Sequence, residues 1–161
     1  MATDRTPPKI DFPWMTEKSM EIVMHAVDGE IEPAVDALCA VGERYGGHGV
    51  FCLCYSLAEC IAQMAGWKSD DKPDDAFWGL RVEHLERGVV APEDLDENDK
   101  PILQAMRFVT AYLNRDGDQT NALFNAAETP EDAVDLPVGL IKLVQLYGRY
   151  RLEEARSSDA D

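Results

Sequence analysis

Positive charge is scarce in this chain: 15 Lys and Arg stand against 31 Asp and Glu in 161 residues, a formal net charge of −16. A surface so acidic repels phosphate and forgoes the counterion release behind most nucleic-acid affinity, which argues against direct binding of DNA or RNA. Long apolar runs are missing as well. The longest stretch without a charged side chain, Tyr45 to Ala58, contains three glycines and His48, and it falls short of the about 20 apolar residues that a membrane span needs. The N-terminus reads Asp4-Arg5-Thr6-Pro7-Pro8 with no apolar segment behind a basic start, so the reading expects no signal peptide and a cytoplasmic protein. Histidine is limited to His25, His48 and His84. Four cysteines, Cys39, Cys52, Cys54 and Cys60, sit inside apolar helical patterns and not at turn-separated positions, so they read as reduced thiols and not as a disulfide framework.

What is present suffices for a core. Leu, Ile, Val and Phe together number 37, about 23 per cent, just above the range in which chains fail to bury enough apolar surface. The length suits a single domain. The expected organisation is a flexible N-terminal arm over 1–11, one helical domain over 12–156 and a disordered acidic tail over 157–161.

The apolar periodicity is helical almost throughout. Met20, Val23, Met24 and Val27 form a stripe with Thr16 as N-cap and Gly29 as terminator. Pro33 opens a second helix whose buried face is Val35, Leu38, Gly42 and Tyr45, closed by Gly46-Gly47. A third, from about Val50 to Ala65, carries Val50, Cys54, Leu57, Ile61 and Met64 and is expected to be the buried central helix, with Gly66 as its stop. Asp-Lys-Pro at Asp71 and again at Asp99 introduces two more helical patterns, the first of which (Phe77 to Leu85) also fits a strand around Leu80 and Val82. Asp118 is the expected cap of a short helix, Thr129 to Asp132 resembles a capping box, and Leu136 to Tyr150 carry the last helix, divided at Pro137, to about Glu154. The fold class is therefore all-α, a bundle of six to eight helices.

No catalytic template is filled. Gly47-His48-Gly49 opens a helix as an anion site would, but a helix precedes it where a dinucleotide fold needs a strand, and Cys52 replaces the third glycine. His48 and Cys52, one turn apart, are a candidate reactive pair or half of a metal site; no further ligand completes a tetrahedral set, and buried thiols acting as small apolar side chains are the plainer reading. Glu21 with His25 and Glu83 with His84 lack the Glu-x-x-His spacing of di-iron bundles. Asn114 to Thr120 begins like a calcium loop, but Gln119 stands at the glycine position and Asn125 where a bidentate Glu belongs. The sequence therefore points to no catalytic residue, no metal site and no cofactor.

Two features suit recognition. Trp67, Phe77 and Trp78 bracket a polar stretch and are residue types that anchor interfaces, while Glu93, Asp94, Asp96, Glu97 and Asp99 place five carboxylates in seven residues. Phe12 and Trp14, behind the Pro-containing arm, either strap it to the bundle or meet a partner. The expectation is a non-enzymatic, acidic interaction module or adaptor acting on a basic protein, able to form a homo-oligomer, with no membrane and no nucleic-acid partner. Alternatives are a nucleic-acid mimic that inhibits a DNA- or RNA-binding protein, a structural subunit of a phage or other assembly, and, last, a Cys/His enzyme or ligand binder.

Overall fold

The computed structural model describes residues 8–68, 83–84, 88–89 and 99–159. Five α-helices occur among them: α1 (Phe12–Asp28), α2 (Ile31–Ala65), α3 (Lys100–Leu113), α4 (Gly117–Phe124) and α5 (Asp135–Ser158). A single 3-10 turn, Asp132–Val134, leads into α5. Between α2 and α3 two short segments, β1 (Glu83–His84) and β2 (Gly88–Val89), pair antiparallel; Leu80 and Val82, where a strand is the alternative, lie outside the described residues. The all-α class stands, with five helices among the described residues, the longest of them interrupted at Gly46.

The helices expected on either side of Gly46-Gly47 are both present as the two runs of α2, separated where Gly46 leaves the helical region at φ 61 and ψ −155. No side chain with a Cβ adopts that backbone at comparable cost. The helix expected after Asp71-Lys72-Pro73 lies outside the described residues.

The ends of the helices follow local chemistry, though not always through the expected residue. α1 starts earlier than Thr16: Asp11 accepts from the Trp14 N–H at 3.2 Å, and Pro13 occupies the first turn, where its missing N–H is no loss. Gly29 ends α1 in the left-handed region, its successor Glu30 donating to the His25 carbonyl at 2.8 Å. Gly66 ends α2 in the same way, with the Trp67 N–H on the Ala62 carbonyl at 2.8 Å. After α3 the left-handed residue is Arg115, at φ 57, and Asp116, not Asp118, caps α4 by accepting from the Gln119 N–H at 2.9 Å. Of the capping box expected at Thr129, one half forms: the Asp132 N–H donates to the Thr129 hydroxyl at 3.1 Å, and that hydroxyl in turn donates to the Asp132 carboxylate at 2.8 Å in place of the backbone bond. Pro137 sits in the first turn of α5 and does not divide it, and the helix continues past Glu154 through Ser158.

The second half of α2 runs through the centre. Leu53, Cys54, Leu57, Ala58 and Ile61 are fully buried among α1, α3 and α5. Phe108 of α3 stands edge-on to Phe51 and Tyr55, with ring centroids 6.4 and 5.7 Å apart, and Phe124 of α4 closes on Phe51 at 5.0 Å. Tyr55 shares a 2.6 Å hydrogen bond with Thr120, which is entirely buried and so ties α4 to the core. Small residues set the crossings of α5: Gly139 lies against the Pro101 carbonyl of α3 and Gly148 against Val27 of α1. No helix among the described residues is long and apolar enough to cross a membrane.

Candidate functional site: an apolar groove between α1 and α2

α1 turns a different face inward from the one its Met20-Val23-Met24-Val27 stripe suggests. Met15, Ile22 and Ala26 are buried, Val23 and Val27 are half-buried, and Met20 and Met24 are 59% and 63% exposed. Apolar residues occupy more than half of the circumference of this helix, and only the arc carrying the small Ala26 packs on its neighbours. Phe12, 72% exposed, continues the outer line of Met20 and Met24 toward the N-terminus.

That outer line forms one wall of an open groove of about 670 Å³. Phe51, Cys52, Tyr55 and Cys60 of α2 form the other wall. Among the described residues no charged side chain lines it. Its two serine hydroxyls bond within their own helices, Ser19 donating to the Met15 carbonyl at 2.9 Å and Ser56 to the Cys52 carbonyl at 3.3 Å, and the Tyr55 hydroxyl is taken by Thr120. On the far side of Met20 and Met24 the surface changes character: Glu17, Glu21, His25, Asp28 and Glu30 surround a second hollow of about 590 Å³. Glu21 pairs with Lys18 at 2.5 Å and Glu30 with His25 at 2.7 Å, whereas Glu17 and Asp28 have no ion pair among the described residues. The two methionines are thus a ridge between an apolar trough and an acidic margin.

The chemistry available in the trough is that of contact. Burial pushes the Cys52 thiol up from its ordinary value, and burial with the neighbouring Glu59 carboxylate does the same to Cys60. Both are then protonated thiols at neutral pH, the opposite of an activated nucleophile. His48 is exposed, one turn before Cys52, and lines neither hollow. The His48–Cys52 pair therefore lacks the lowered thiol expected of a reactive site. The cysteines are also less uniformly buried than the sequence suggests: Cys54 is buried, Cys52 and Cys60 half-buried, and Cys39 exposed. Among the described residues no group of three or more His, Cys, Asp or Glu side chains could hold a metal ion.

Cys54 makes a measurable prediction. Burial, and secondarily Cys52, push its thiol up to about 12 from 9.0. In the unfolded chain the thiol ionises first, so the folded state gains its full contribution below pH 9 and loses it as pH rises toward 12. Stability should fall by about 1.4 kcal/mol per pH unit across that window, with Cys52, Cys60 and Tyr147, all raised, acting in the same direction. Urea midpoints measured from neutral pH upward check this, and Cys54→Ala should flatten the alkaline limb. A wild-type profile level above pH 9 contradicts it.

Of the residues singled out for interaction, Trp67, Asp99, Phe12 and Trp14 are described, and Asp99 is exposed just before α3; Trp67 is the one from the aromatic set around the polar stretch. It is half-buried, edge-on to Tyr147 at 5.2 Å and packed against the core, so it braces the end of α2 on α5. Phe77, Trp78, Glu93, Asp94, Asp96 and Glu97 lie outside the described residues. Phe12 and Trp14 separate: Trp14 packs edge-on to Tyr45 at 5.6 Å under the Arg44 guanidinium, while Phe12 faces out at the groove. Sequence reasoning passed over the groove itself. Its one signal was Phe12, Met20 and Met24 at multiples of four. Compared with known proteins, the chain matches no family model, no curated protein and no solved structure.

Proposed function

We propose that this chain is a non-enzymatic interaction module that receives a basic amphipathic helix of a protein partner in the groove between α1 and α2. The observation behind this reading is the exposed line Phe12, Met20 and Met24, set between a trough without charged lining and a margin of Glu17, Glu21 and Asp28. An amphipathic helix laid in such a trough presents its apolar residues every third or fourth position to the methionines and its Lys or Arg to the carboxylates. Methionine suits this role because its flexible thioether adapts to different apolar surfaces. The net charge of −16 speeds encounter with a basic partner and makes binding fall with salt.

A designed helical peptide of alternating Leu and Lys faces, followed by fluorescence anisotropy, tests this directly. The wild type should bind it, more weakly as salt is raised. The double variant Met20→Glu, Met24→Glu should stay folded, since both side chains are exposed, and lose about 100-fold in affinity as two apolar anchors become charged. Equal binding by the variant removes the groove from the interaction. Imitation of a duplex by rows of carboxylates has only the net charge behind it, because the cluster from Glu93 to Glu97 lies outside the described residues.

A further inference from the structure

We infer that a second copy of this chain is an occupant of the groove, inserting the outer face of α5 between α1 and α2 of its partner; the inference rests on the groove being a receptor for basic amphipathic helices. Lys142, Leu146, Arg149, Tyr150 and Arg156 fall on one face of α5, at steps of 4, 3, 1 and 6 residues along a 3.6-residue period. Leu146 and Tyr150, one turn apart, are 60% and 61% exposed. Its three cations outnumber the carboxylates of Glu153 and Glu154 beside Tyr150, in a chain whose formal charge is −16. Every residue from Arg149 to Asp159 is exposed, so this end of α5 is left uncovered by its own bundle. It has the chemistry that the Met20–Met24 ridge and its acidic margin select.

Geometry adds a reason for reciprocity. α5 crosses α1 where Gly148 meets Val27, and an Arg149 guanidinium nitrogen reaches within 2.7 Å of where a Cβ on Gly29 would stand, beside Asp28 and Glu30. The basic face of α5 and the acidic, methionine-bearing face of α1 therefore run out from one crossing. A patch holding both halves of a complementary pair is self-complementary about a two-fold axis, as a closed dimer requires. The lengths agree: Phe12 to Met24 and Leu146 to Ser157 each span about 17 to 18 Å at 1.5 Å per residue.

Sedimentation velocity on the full chain at tens of micromolar tests the pairing, with two variants: Met20→Glu, Met24→Glu in the groove and Leu146→Glu, Tyr150→Glu on α5. The wild type should be a dimer, and each variant alone should be monomeric, with a dimer dissociation constant raised at least 30-fold. An equimolar mixture of the two variants should recover a heterodimer, because one intact groove then meets one intact α5 face. A monomeric wild type, a dimer that survives either variant, or a mixture that stays monomeric overturns the inference. Circular dichroism confirms that the variants fold, and Leu146→Gln, Tyr150→Gln replaces the glutamates should they disturb α5. The designed basic peptide, titrated into the α5 variant, separates the two readings: binding there with a monomeric wild type leaves the groove a receptor and removes only the self-pairing, whereas loss of both removes the groove as well.

Discussion

Replacing Gly139 by valine should leave the chain unfolded at ambient temperature, and even Gly139→Ala should lower its stability by about 2 to 4 kcal/mol. A Cβ at this position would lie 2.0 Å from the Pro101 carbonyl oxygen and 2.6 Å from its carbon, with the Ala105 methyl at 3.1 Å. The obstacle is the backbone of the first turn of α3, which cannot rotate aside as a side chain can. α5 and α3 would have to move apart by more than an ångström, opening the layer that holds Ala105, Leu136 and Leu140. Alanine is the better helix former by about 1 kcal/mol, so propensity alone predicts the opposite sign. The contrast within the same protein is sharp: at Gly148 the nearest atom is a Val27 methyl at 2.5 Å, which yields at smaller cost, and at Gly42 it is a Val50 methyl at 3.6 Å, an ordinary contact. Urea unfolding of the three alanine variants should rank them Gly139, Gly148, Gly42 from most to least damaging. A Gly139→Ala midpoint at or above wild type refutes the tight crossing.

Phe108→Ala should cost about 3 to 5 kcal/mol, a large part of the 5 to 15 kcal/mol that holds a typical domain. The ring is wholly buried and edge-on to both Phe51 and Tyr55, so its loss removes apolar contact and two favourable aromatic geometries together. The effect reaches the groove. Phe51 and Tyr55 form its α2 wall, and both lean on Phe108 from behind. Peptide binding should therefore weaken in Phe108→Ala even below its melting range, although residue 108 lines no part of the trough. Phe12→Ala is the control with the reverse pattern, nearly neutral for stability at 72% exposure and damaging to binding. A Phe108→Ala variant within 1 kcal/mol of wild type would show that the cluster repacks.

Where an element stops is written locally, and this much was legible. Gly29 and Gly66 end their helices as the sequence implies, and Pro101 opens α3. Rotation about the helix axis was harder. In α3, Ile102, Met106, Val109 and Leu113 share one helical spacing, yet only the last two are buried, and Leu103, Ala105 and Phe108 carry more of the core than Ile102 and Met106 do. In α1 the misphasing hid the site. Met20 and Met24 have the same composition whether they face a core or a partner, and only the packing of Ala26 and Gly148 fixes which arc goes inward. An exposed apolar groove is invisible to periodicity for that reason. The end of α3 shows a further limit: Arg115 holds the left-handed position where glycine or asparagine is usual.

The bend at Gly46 divides α2 in kinetic terms as well as in direction. A helix grows readily once its first turn exists, but forming that turn is unfavourable by about a thousandfold in equilibrium terms, and an interrupted hydrogen-bond ladder cannot pass growth across the break. α2 therefore requires two separate starts, one on each side of the glycine. The second run carries much of the buried surface of the whole bundle, and its start depends on contacts with α3 and α5 that are distant in sequence. The first run neighbours α1, its sequence-adjacent partner, through Tyr45, whose ring meets Trp14 and whose hydroxyl accepts from the Asp11 N–H at 3.0 Å. Local closure of the α1 hairpin can thus precede assembly of the centre, so that one wall of the groove is in place before the other arrives.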